Sequence, residues 1–455
     1  MPTAATRRRR LAAARSLWRG SLPDGTVPVA IGVVVLGITA YGFLIVSARA
    51  LGPERYAPLS VLWALVFLVG PGLFFPLEQE LTRAISAREA LGLGSADLVR
   101  RAAIAAGAAV TVLMVAIALA GGWLVPNLFD DEPLLLVGLV LSVGGYFVEH
   151  LVRGVLSGTG RFRPYGVILG AEGALRLVGC AALAALDVSG PGPYGLVLGA
   201  TPLLAAAIGA RGQAVLPAGR VPTELEKRRE GSVSLRHAFG WLLAASLFSQ
   251  LLVNAAPVVV KSLANAEQTA TVGRFVAGLI LARVPLFLFS AVQASALPRL
   301  SRLVAAGRHA EFRHGLARLV AVVGALGVVG TVGIATAGPA LMKALFGSDF
   351  GLARHHLVYL AAASACYMLA MTVAQALIAL RAQARVAAAW MAGCATFAVV
   401  AAVSPGLLQR AEWGLLAGSA VALAVMTAAL ASMMGDPASQ ADAAEVPVPP
   451  PPAGP

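Results

Sequence analysis

The stretch 134–156 reads LLLVGLVLSVGGYFVEHLVRGVL and decides the fold. A helix of about 20 mostly apolar residues crosses the hydrocarbon core of a bilayer, and this stretch is long enough to do so. Its second half carries Glu149, His150 and Arg153, which are costly to place in lipid. The stretch therefore predicts a membrane-spanning helix with one polar face turned into the protein.

The rest of the chain has the same character. Its 455 residues are 58% hydrophobic and 13% charged, with a mean hydropathy of +0.80, whereas soluble domains carry about 25% charged residues. This composition excludes a soluble globular protein. It predicts an all-α polytopic membrane protein of about twelve transmembrane helices in two six-helix lobes. The predicted spans are 27–48, 57–77, 102–125, 134–156, 165–186, 194–210, 237–260, 275–297, 316–338, 356–380, 386–404 and 413–434.

Polar stretches divide the chain into five parts. A basic tail (1–26) precedes an amino-terminal lobe (27–210), a linker (211–236) leads to a carboxy-terminal lobe (237–434), and a proline-rich tail (435–455) follows. We call these lobe one and lobe two. The second tail ends in VPVPPPPAGP, which is too poor in large apolar residues to form a core and predicts disorder.

Arginine and lysine counts predict the orientation. With the amino terminus inside, the cytoplasmic segments hold 26 basic residues and the outer loops hold 7. The positive-inside rule then predicts that both termini and the linker are cytoplasmic, in a bacterial inner membrane. The small-residue site at Ala48-Arg49-Ala50 resembles a signal cleavage site, but the apolar stretch before it is longer than a signal peptide requires.

The two halves resemble copies of each other, which is typical of transporters. Because each half contains an even number of spans, the repeat is parallel. The matching positions are Pro71, Phe75 and Gln79 with Pro285, Phe289 and Gln293, then Leu128-Phe129 with Leu345-Phe346, and Arg163 with Arg385.

Other classes of function are disfavoured. The three cysteines lie in apolar runs without C-x-x-C spacing, so we expect neither a disulfide framework nor a metal or other cofactor. The net charge of +13 is spread between spans, so we expect no nucleic-acid partner. Asp130-Asp131-Glu132 could serve a glycosyltransferase, but these acids precede Pro133 and are expected to cap a helix. The sequence has no H-E-x-x-H, G-x-S-x-G or P-loop pattern, and we expect no enzyme.

Ionisable residues in spans four and five form a predicted layer at one depth. On each span a glutamate precedes an arginine by four positions, which places both on one helix face. Three interpretations stay open: an ion-pair lock within lobe one, a proton-coupling site, or direct contact of Arg176 with a substrate headgroup. The layer consists of Glu149, His150, Arg153, Glu172 and Arg176.

Lobe two carries a sparser polar set. Arg283 in span eight has no acidic residue within four positions, and Gln250 and Asn254 share one face of span seven. An intramembrane guanidinium needs water, an acid or an anion, and it binds phosphate bidentately. We therefore predict substrate contacts for Arg283, Gln250 and Asn254, with pairing to a distant acid or snorkelling as the alternatives for Arg283. Pro257 and Pro285 could break these helices and free backbone groups.

Charged residues at the two mouths suggest gates. Arg49 and Arg55 flank Gly52-Pro53 at the outer mouth, while Glu78, Glu80 and Arg83 end span two on the cytoplasmic side. Loop solvation and attraction to anionic lipid are the plainer interpretations.

Several motifs resemble the MOP superfamily of twelve-helix exporters, within it the branch that flips lipid-linked oligosaccharides for polysaccharide biosynthesis. They are ARALGPERYAPLS after span one, PGLFFPLEQELTRA closing span two, ALFGSDFGLARHHL between spans nine and ten, and the ALRAQAR pattern after span ten. The resemblance covers residues 27 to 434.

The resemblance implies two lobes around a central cavity, alternating access, and a substrate with a lipid tail and a polar head. It implies membrane lipids, a lipid-linked sugar and the glycosyltransferases or polymerase of one pathway as partners, with the protein expected to be a monomer. A multidrug and toxin extrusion exporter and a non-transporting scaffold of envelope assembly are the alternatives. In contrast to several flippases of this type, spans one and two hold no charge within the membrane.

Overall fold

The computed structural model describes residues 26–217, 219–220, 233–286, 289, 300–304 and 306–435. The predictions for the basic tail before residue 26, for most of the linker and for the proline-rich tail after residue 435 concern residues outside these ranges.

The described chain is almost entirely helical and has eleven helices long and apolar enough to cross a membrane. The first of them, Val27–Glu89, contains the predicted spans one and two, so the eleven helices correspond to the twelve predicted spans. Of predicted span eight (275–297), only residues 275–286 and 289 lie in the described ranges. The α-helical segments are Thr26–Val69, Phe75–Glu89, Ala96–Leu119, Gly121–Leu128, Pro133–Gly158, Phe162–Ala185, Pro191–Ala210, Val233–Leu263, Thr269–Ala282, His309–Phe346, Arg354–Ala379, Gln383–Val403 and Leu407–Gly435, with a π-helix at Gly70–Phe74 and 3₁₀ turns at Ala266–Gln268 and Ser348–Phe350.

Spans one and two follow each other without a loop. Gly52 has φ 71° and ψ 170°, which breaks the helix between them. Only glycine adopts this positive φ without steric cost, and Pro53 then begins the next helix. Span two changes to the π-helix Gly70–Phe74, which holds Pro71 near its start and then continues as Phe75–Glu89.

Span eight begins earlier than the hydropathy pattern predicts. Its prediction starts at residue 275, whereas the helix starts at Thr269 behind a 3₁₀ turn. A capping box sets this start: the Gln268 backbone N–H donates to the Asn265 side chain, and the Asn265 N–H donates to the Gln268 side chain. Hydropathy missed it because the residues that start the helix are polar.

Small residues bring helix backbones together within each lobe. Gly195 and Gly199 of span six lie one turn apart and pack on Gly138 of span four, where a Cβ on Gly138 would lie 2.6 Å from the Gly195 oxygen. In lobe two, a Cβ on Gly393 of span eleven would lie 2.7 Å from the oxygen of Gly418 in span twelve. This is the small-residue packing expected of membrane helices, because lipid supplies little hydrophobic drive for their association.

Helix packing is consistent with two lobes. In lobe one, span five packs on span one and span six on span four, while in lobe two span nine packs on span ten and spans ten and eleven both pack on span twelve. The lobes meet where spans one and two contact spans seven and eight. The candidate residues lie at this boundary, inside lobe one, and at the two ends of the molecule.

Candidate functional site

Six ionisable side chains from spans two, four and five form a buried cluster inside lobe one, which we call the lobe-one cluster. Each of these residues, taken whole, is at most 8% exposed. Five of them are the layer that the sequence predicts, and the sixth comes from the end of span two. The members are Glu78, Glu149, His150, Arg153, Glu172 and Arg176.

Glu78 joins three helices. The Nδ1 of His150 lies 2.7 Å from one Glu78 carboxylate oxygen, and an Arg153 guanidinium nitrogen lies 3.1 Å from the same oxygen. The hydroxyl of Tyr165 on span five donates to the other oxygen at 2.7 Å. The Arg153 guanidinium also lies 5.0 Å from the Tyr165 ring centroid. Sequence reasoning had placed Glu78 at an inner gate, whereas the structure places it in the lobe-one cluster.

A second group surrounds Glu172. Glu172 pairs with Arg176 one turn further along span five. The Tyr146 hydroxyl of span four donates to Glu172 at 2.7 Å and accepts from Arg176 at 3.1 Å. The Arg176 guanidinium also lies 5.4 Å from the ring centroid of Trp63 in span two. This second group therefore also connects spans two, four and five. The connections are made by the aromatic residues Tyr146 and Trp63 as well as by the ion pair.

The charges of the lobe-one cluster do not balance. Three carboxylates face two guanidinium groups, which stay protonated in proteins. One proton, on His150 or on a carboxylate, makes the cluster neutral. Arg153 binds one oxygen of Glu149 at 3.1 Å, and among the described residues the other, Oε2, is buried without a hydrogen-bond partner. The cluster therefore has the composition of a site that holds one exchangeable proton.

Arg283 lies at a break in span eight. The helix ends at Ala282, three residues before Pro285, and the Arg283 guanidinium donates to the backbone carbonyl of Val253 in span seven. Within the described ranges, no carboxylate lies within ion-pair distance of it. Tyr41 of lobe one and Tyr367 of lobe two lie within electrostatic reach of Arg283, which places Arg283 at the boundary between the lobes.

Gln250 and Asn254 lie on the same face of span seven, as predicted from their spacing. The Asn254 side-chain amide donates to the Gln250 side-chain oxygen at 3.1 Å and to the Gln250 backbone oxygen at 3.0 Å. A Cβ on Gly72, within the π-helix of span two, would lie 3.5 Å from the Gln250 Cβ. This polar face of span seven therefore meets span two, and Val253 of the same helix contacts Arg283.

Loops of both lobes meet at the predicted outer end. Arg49 after span one donates to the carbonyl oxygens of Ala344 and Leu345 at the end of span nine. Lys261 after span seven pairs with Asp130 before span four. These contacts tie lobe one to lobe two.

Further contacts at the predicted outer end involve the same loops. The Tyr56 and Phe350 rings pack edge to face at 5.9 Å between the lobes. Arg55 donates to the Ser189 oxygen at 3.3 Å within lobe one. Pro133 begins span four as predicted, but the Glu132 side chain accepts no capping bond. In this structure the two lobes are therefore in contact at the predicted outer end.

Charged residues at the end predicted to be cytoplasmic pair locally. Glu80 and Arg83 form an exposed pair at 2.5 Å within one helix. Asp97 pairs with the buried Arg88 at 2.6 Å and with Arg101 at 2.9 Å. These pairs lie within lobe one.

The sequence analysis missed the aromatic partners of the lobe-one cluster and one buried glutamate–histidine pair in lobe two. Tyr146 precedes His150 by four positions and Tyr165 precedes Glu172 by seven, so helical spacing alone places each on the polar face of its span. In lobe two, the fully buried Glu412 of span twelve lies 2.8 Å from the Nδ1 of His356 in span ten. A single glutamate near a helix start gave little signal of this pair.

No family model matches the chain. Solved structures are similar in fold. The "inward-facing conformation of a multidrug resistance MATE family transporter of the MOP superfamily" matches with a TM-score of 0.69 and 12% identity, over 92% of this chain and 99% of that one. An "outward-facing conformation" of a transporter of the same description matches with a TM-score of 0.59 and 13% identity, over 91% and 95%. The chain is thus a multi-pass membrane protein with a MATE-like fold.

Relatives of similar length occur in Mycobacterium tuberculosis. One uncharacterized protein is 28% identical over 426 residues, covering 90% of this chain and 93% of the relative. A second is 27% identical over 424 residues, covering 91% and 92%. The similarity extends over both lobes of this chain.

Proposed function

We propose that the chain is a membrane exporter of the flippase type, which moves a lipid-linked oligosaccharide or a related polyprenyl-phosphate-linked precursor of the cell envelope by alternating access. The observation that carries this proposal is the sign of the charge between the lobes. A described ionisable group within the spans at that boundary is the cationic Arg283, bound to a backbone carbonyl rather than to an acid. A cation at that place favours an anionic substrate.

The chemistry of the surrounding residues supports a phosphate-linked sugar. The planar guanidinium of Arg283 matches a phosphate or diphosphate, to which it can donate two hydrogen bonds. Gln250 and Asn254 on the adjacent helix can donate to and accept from sugar hydroxyls. Broken helices near a repeat boundary are also typical of transporter binding sites, and span eight breaks at Arg283.

Arg176 is the weakest of the predicted substrate contacts. Its side chain is fully buried and pairs with Glu172 beside Trp63. A substrate would have to break this pair inside lobe one. We therefore propose that Arg176 positions the helices of lobe one rather than binding the headgroup.

Alternating access accounts for the contacts between the lobes at the predicted outer end. Arg49 and Lys261 hold the lobes together there through bonds to Leu345 and Asp130. Opening the outer mouth requires these bonds to break. We propose that Arg49, with Arg55 beside it, acts in an outer gate, and that Glu80 and Arg83 act only as a local surface pair.

The lobe-one cluster supports both a structural and a coupling role. Its ion pairs hold spans two, four and five together, and its charge balance calls for one proton. We propose that the cluster is an ion-pair lock whose single proton is the candidate coupling ion. A conformational change that separates Glu78 from His150 would alter where this proton is bound.

A multidrug exporter is the second candidate function, favoured by the descriptions of the similar solved structures. Such a protein would present an acid to a cationic drug. In the described chain, the four acids buried within the spans all have arginine or histidine partners: Glu78, Glu149, Glu172 and Glu412. A non-transporting scaffold of envelope assembly is the third candidate, and it would tolerate the loss of Arg283.

Deletion of the protein in its host tests the choice between these functions. We expect surface polysaccharide to decrease and an isoprenoid-linked sugar precursor to accumulate on the cytoplasmic side, with dye resistance unchanged. Loss of dye resistance with normal polysaccharide would instead establish the drug exporter. A tagged copy expressed in the deletion strain can test whether the protein works as a monomer in the cell membrane with both termini cytoplasmic, alongside glycosyltransferases of one pathway.

A further inference from the structure

The bond between Arg283 and Val253 has a local cause. Helical carbonyls accept from the N–H four residues later, and for Val253 that residue is Pro257, which has no N–H. Pro257 lies inside the helix Val233–Leu263 and is buried. The carbonyl of Val253 is therefore left without its usual donor, and the Arg283 guanidinium supplies one from the neighbouring helix.

This contact joins a proline-containing helix to an interrupted one. Span eight is interrupted for one residue at Arg283, which keeps φ −92° and ψ −1°, and the proline two residues later lacks the N–H that a regular helix requires. Pro285 packs against span nine at Gly330, where an added Cβ would lie 2.6 Å from the proline ring. The guanidinium thus links the interruption in span eight to the Val253 carbonyl of span seven, within electrostatic reach of Tyr41 of the other lobe.

A neutral carbonyl is a weaker partner for a guanidinium than an anion. Hydrogen bonds between a guanidinium and a phosphate are charge-assisted and bidentate, and they are about twice as strong as those to a neutral acceptor. A phosphate that reaches Arg283 therefore replaces the Val253 carbonyl. The carbonyl then loses its donor, and the turn of span seven around Pro257 is no longer held to span eight.

We infer that the Val253 carbonyl, exposed by Pro257, is a built-in competitor for the anionic headgroup at Arg283, and that its release on binding frees span seven from span eight. The ligand class is a phosphate or diphosphate monoester. This inference rests on the proposed function, since it requires an anionic substrate at Arg283. It assigns to the uncharged residue Pro257 a role in the specificity for an anionic headgroup.

A double-mutant cycle tests the inference. Pro257→Ala restores an N–H for Val253, so the carbonyl no longer needs Arg283. We expect Arg283→Ala to lower the melting temperature of the purified protein in nanodiscs, and to lower it less than half as much in the Pro257→Ala background. Pro202→Ala, which removes a helix proline from span six, is the control and should leave the effect of Arg283→Ala unchanged. Equal effects of Arg283→Ala in all backgrounds would overturn the inference.

Ligand binding gives the second measurement. Polyprenyl phosphate is the probe, with neutral polyprenol and inorganic diphosphate as comparisons. We expect Pro257→Ala to bind polyprenyl phosphate about threefold to tenfold more tightly than the wild type, the range that one net hydrogen bond supplies, and Arg283→Ala to bind it no better than polyprenol. If inorganic diphosphate bound as tightly as polyprenyl phosphate, the ligand would be a free anion, and the proposal of a lipid-linked substrate would be overturned.

Two outcomes separate this inference from the proposed function. If Pro257→Ala binds like the wild type while Arg283→Ala loses binding, the proposed function holds and the competitor role of the carbonyl is wrong. If the wild type does not bind polyprenyl phosphate, the proposed function fails and the inference fails with it. If Pro257→Ala does not fold, hydrogen exchange of the wild type tests the same inference. Polyprenyl phosphate should speed the exchange of the backbone amides of span seven after residue 257. Unchanged exchange of these amides would overturn the inference.

Discussion

The Nδ1 of His150 lies 2.7 Å from a carboxylate oxygen of Glu78, although 72 positions separate the two residues in the chain. The contact joins span four to the end of span two, and both side chains are 5% exposed. It turns the intrahelical glutamate–arginine pairs of lobe one into a network across three helices. Lobe-one stability and any response to protons therefore depend on the same residues.

The substitution Glu172→Gln tests the proposal that the lobe-one cluster is an ion-pair lock. The substitution keeps the shape of the side chain but leaves Arg176 without its buried counter-charge, which we expect to cost about 3 kcal/mol of unfolding free energy. Thermal unfolding in detergent measures this. The matched control is Glu80→Gln in the exposed Glu80–Arg83 pair, expected to cost about 1 kcal/mol or less. Similar costs for the two variants would show that the cluster is no lock.

Transport by the Glu172→Gln protein tests proton coupling. The variant removes one of three carboxylates, so the two arginines balance the remaining two without an added proton. We expect a folded fraction whose transport rate no longer varies with pH, whereas the rate of the wild type does vary. His150→Gln should flatten the pH profile as well if the histidine takes part. Wild-type transport that is itself independent of pH would rule out a coupling role.

Tyr146→Phe tests the role of the aromatic residues. The hydroxyl of Tyr146 bonds both Glu172 and Arg176, and its removal leaves buried polar groups without a partner. We expect a loss of about 1–3 kcal/mol of unfolding free energy. Tyr359→Phe is the control, because the contact described for Tyr359 is made by its ring against Trp413. A loss as small as that of the control would mean that the hydroxyl contributes little.

Gly273→Ala tests closure of the outer end. A Cβ on Gly273 of span eight would overlap the Pro53 carbonyl of lobe one, so alanine should force the lobes apart there. We expect spin labels at Glu54→Cys and Glu267→Cys, in a protein without native cysteines, to show a longer interlobe distance. Gly315→Ala, whose added Cβ meets no atom within 4 Å, should leave the distance unchanged. An unchanged distance in Gly273→Ala would place the closure elsewhere.

Composition and hydropathy were sufficient to predict the all-helical membrane fold. The reason is physical: in lipid the backbone must satisfy its own hydrogen bonds, so long apolar runs become helices. The ends of the helices were predicted less well. Span eight starts at polar residues that a capping box recruits, and spans one and two join at Gly52 without a loop. Both depend on backbone hydrogen bonds or dihedrals that hydropathy does not measure.

Helical spacing identified five residues of the lobe-one cluster but not their partners. Glu78 belongs to another helix and lies 72 positions from His150, so only the packing of span two on span four brings them together. Arg283 shows the same limit. The sequence showed an arginine without a local acid and a proline at 257, but the bond to the Val253 carbonyl depends on the arrangement of two helices.

Translocation of a fluorescent polyprenyl-diphosphate-linked sugar across proteoliposomes tests the central claim most directly. We predict movement of this lipid by the wild type, partial movement by Arg283→Lys, which keeps the charge without the planar fork, and little by Arg283→Ala. Arg101→Ala, in an exposed pair with Asp97, serves as the control and should match the wild type. Full translocation by Arg283→Ala, or transport of ethidium but not of the lipid by the wild type, would contradict the account.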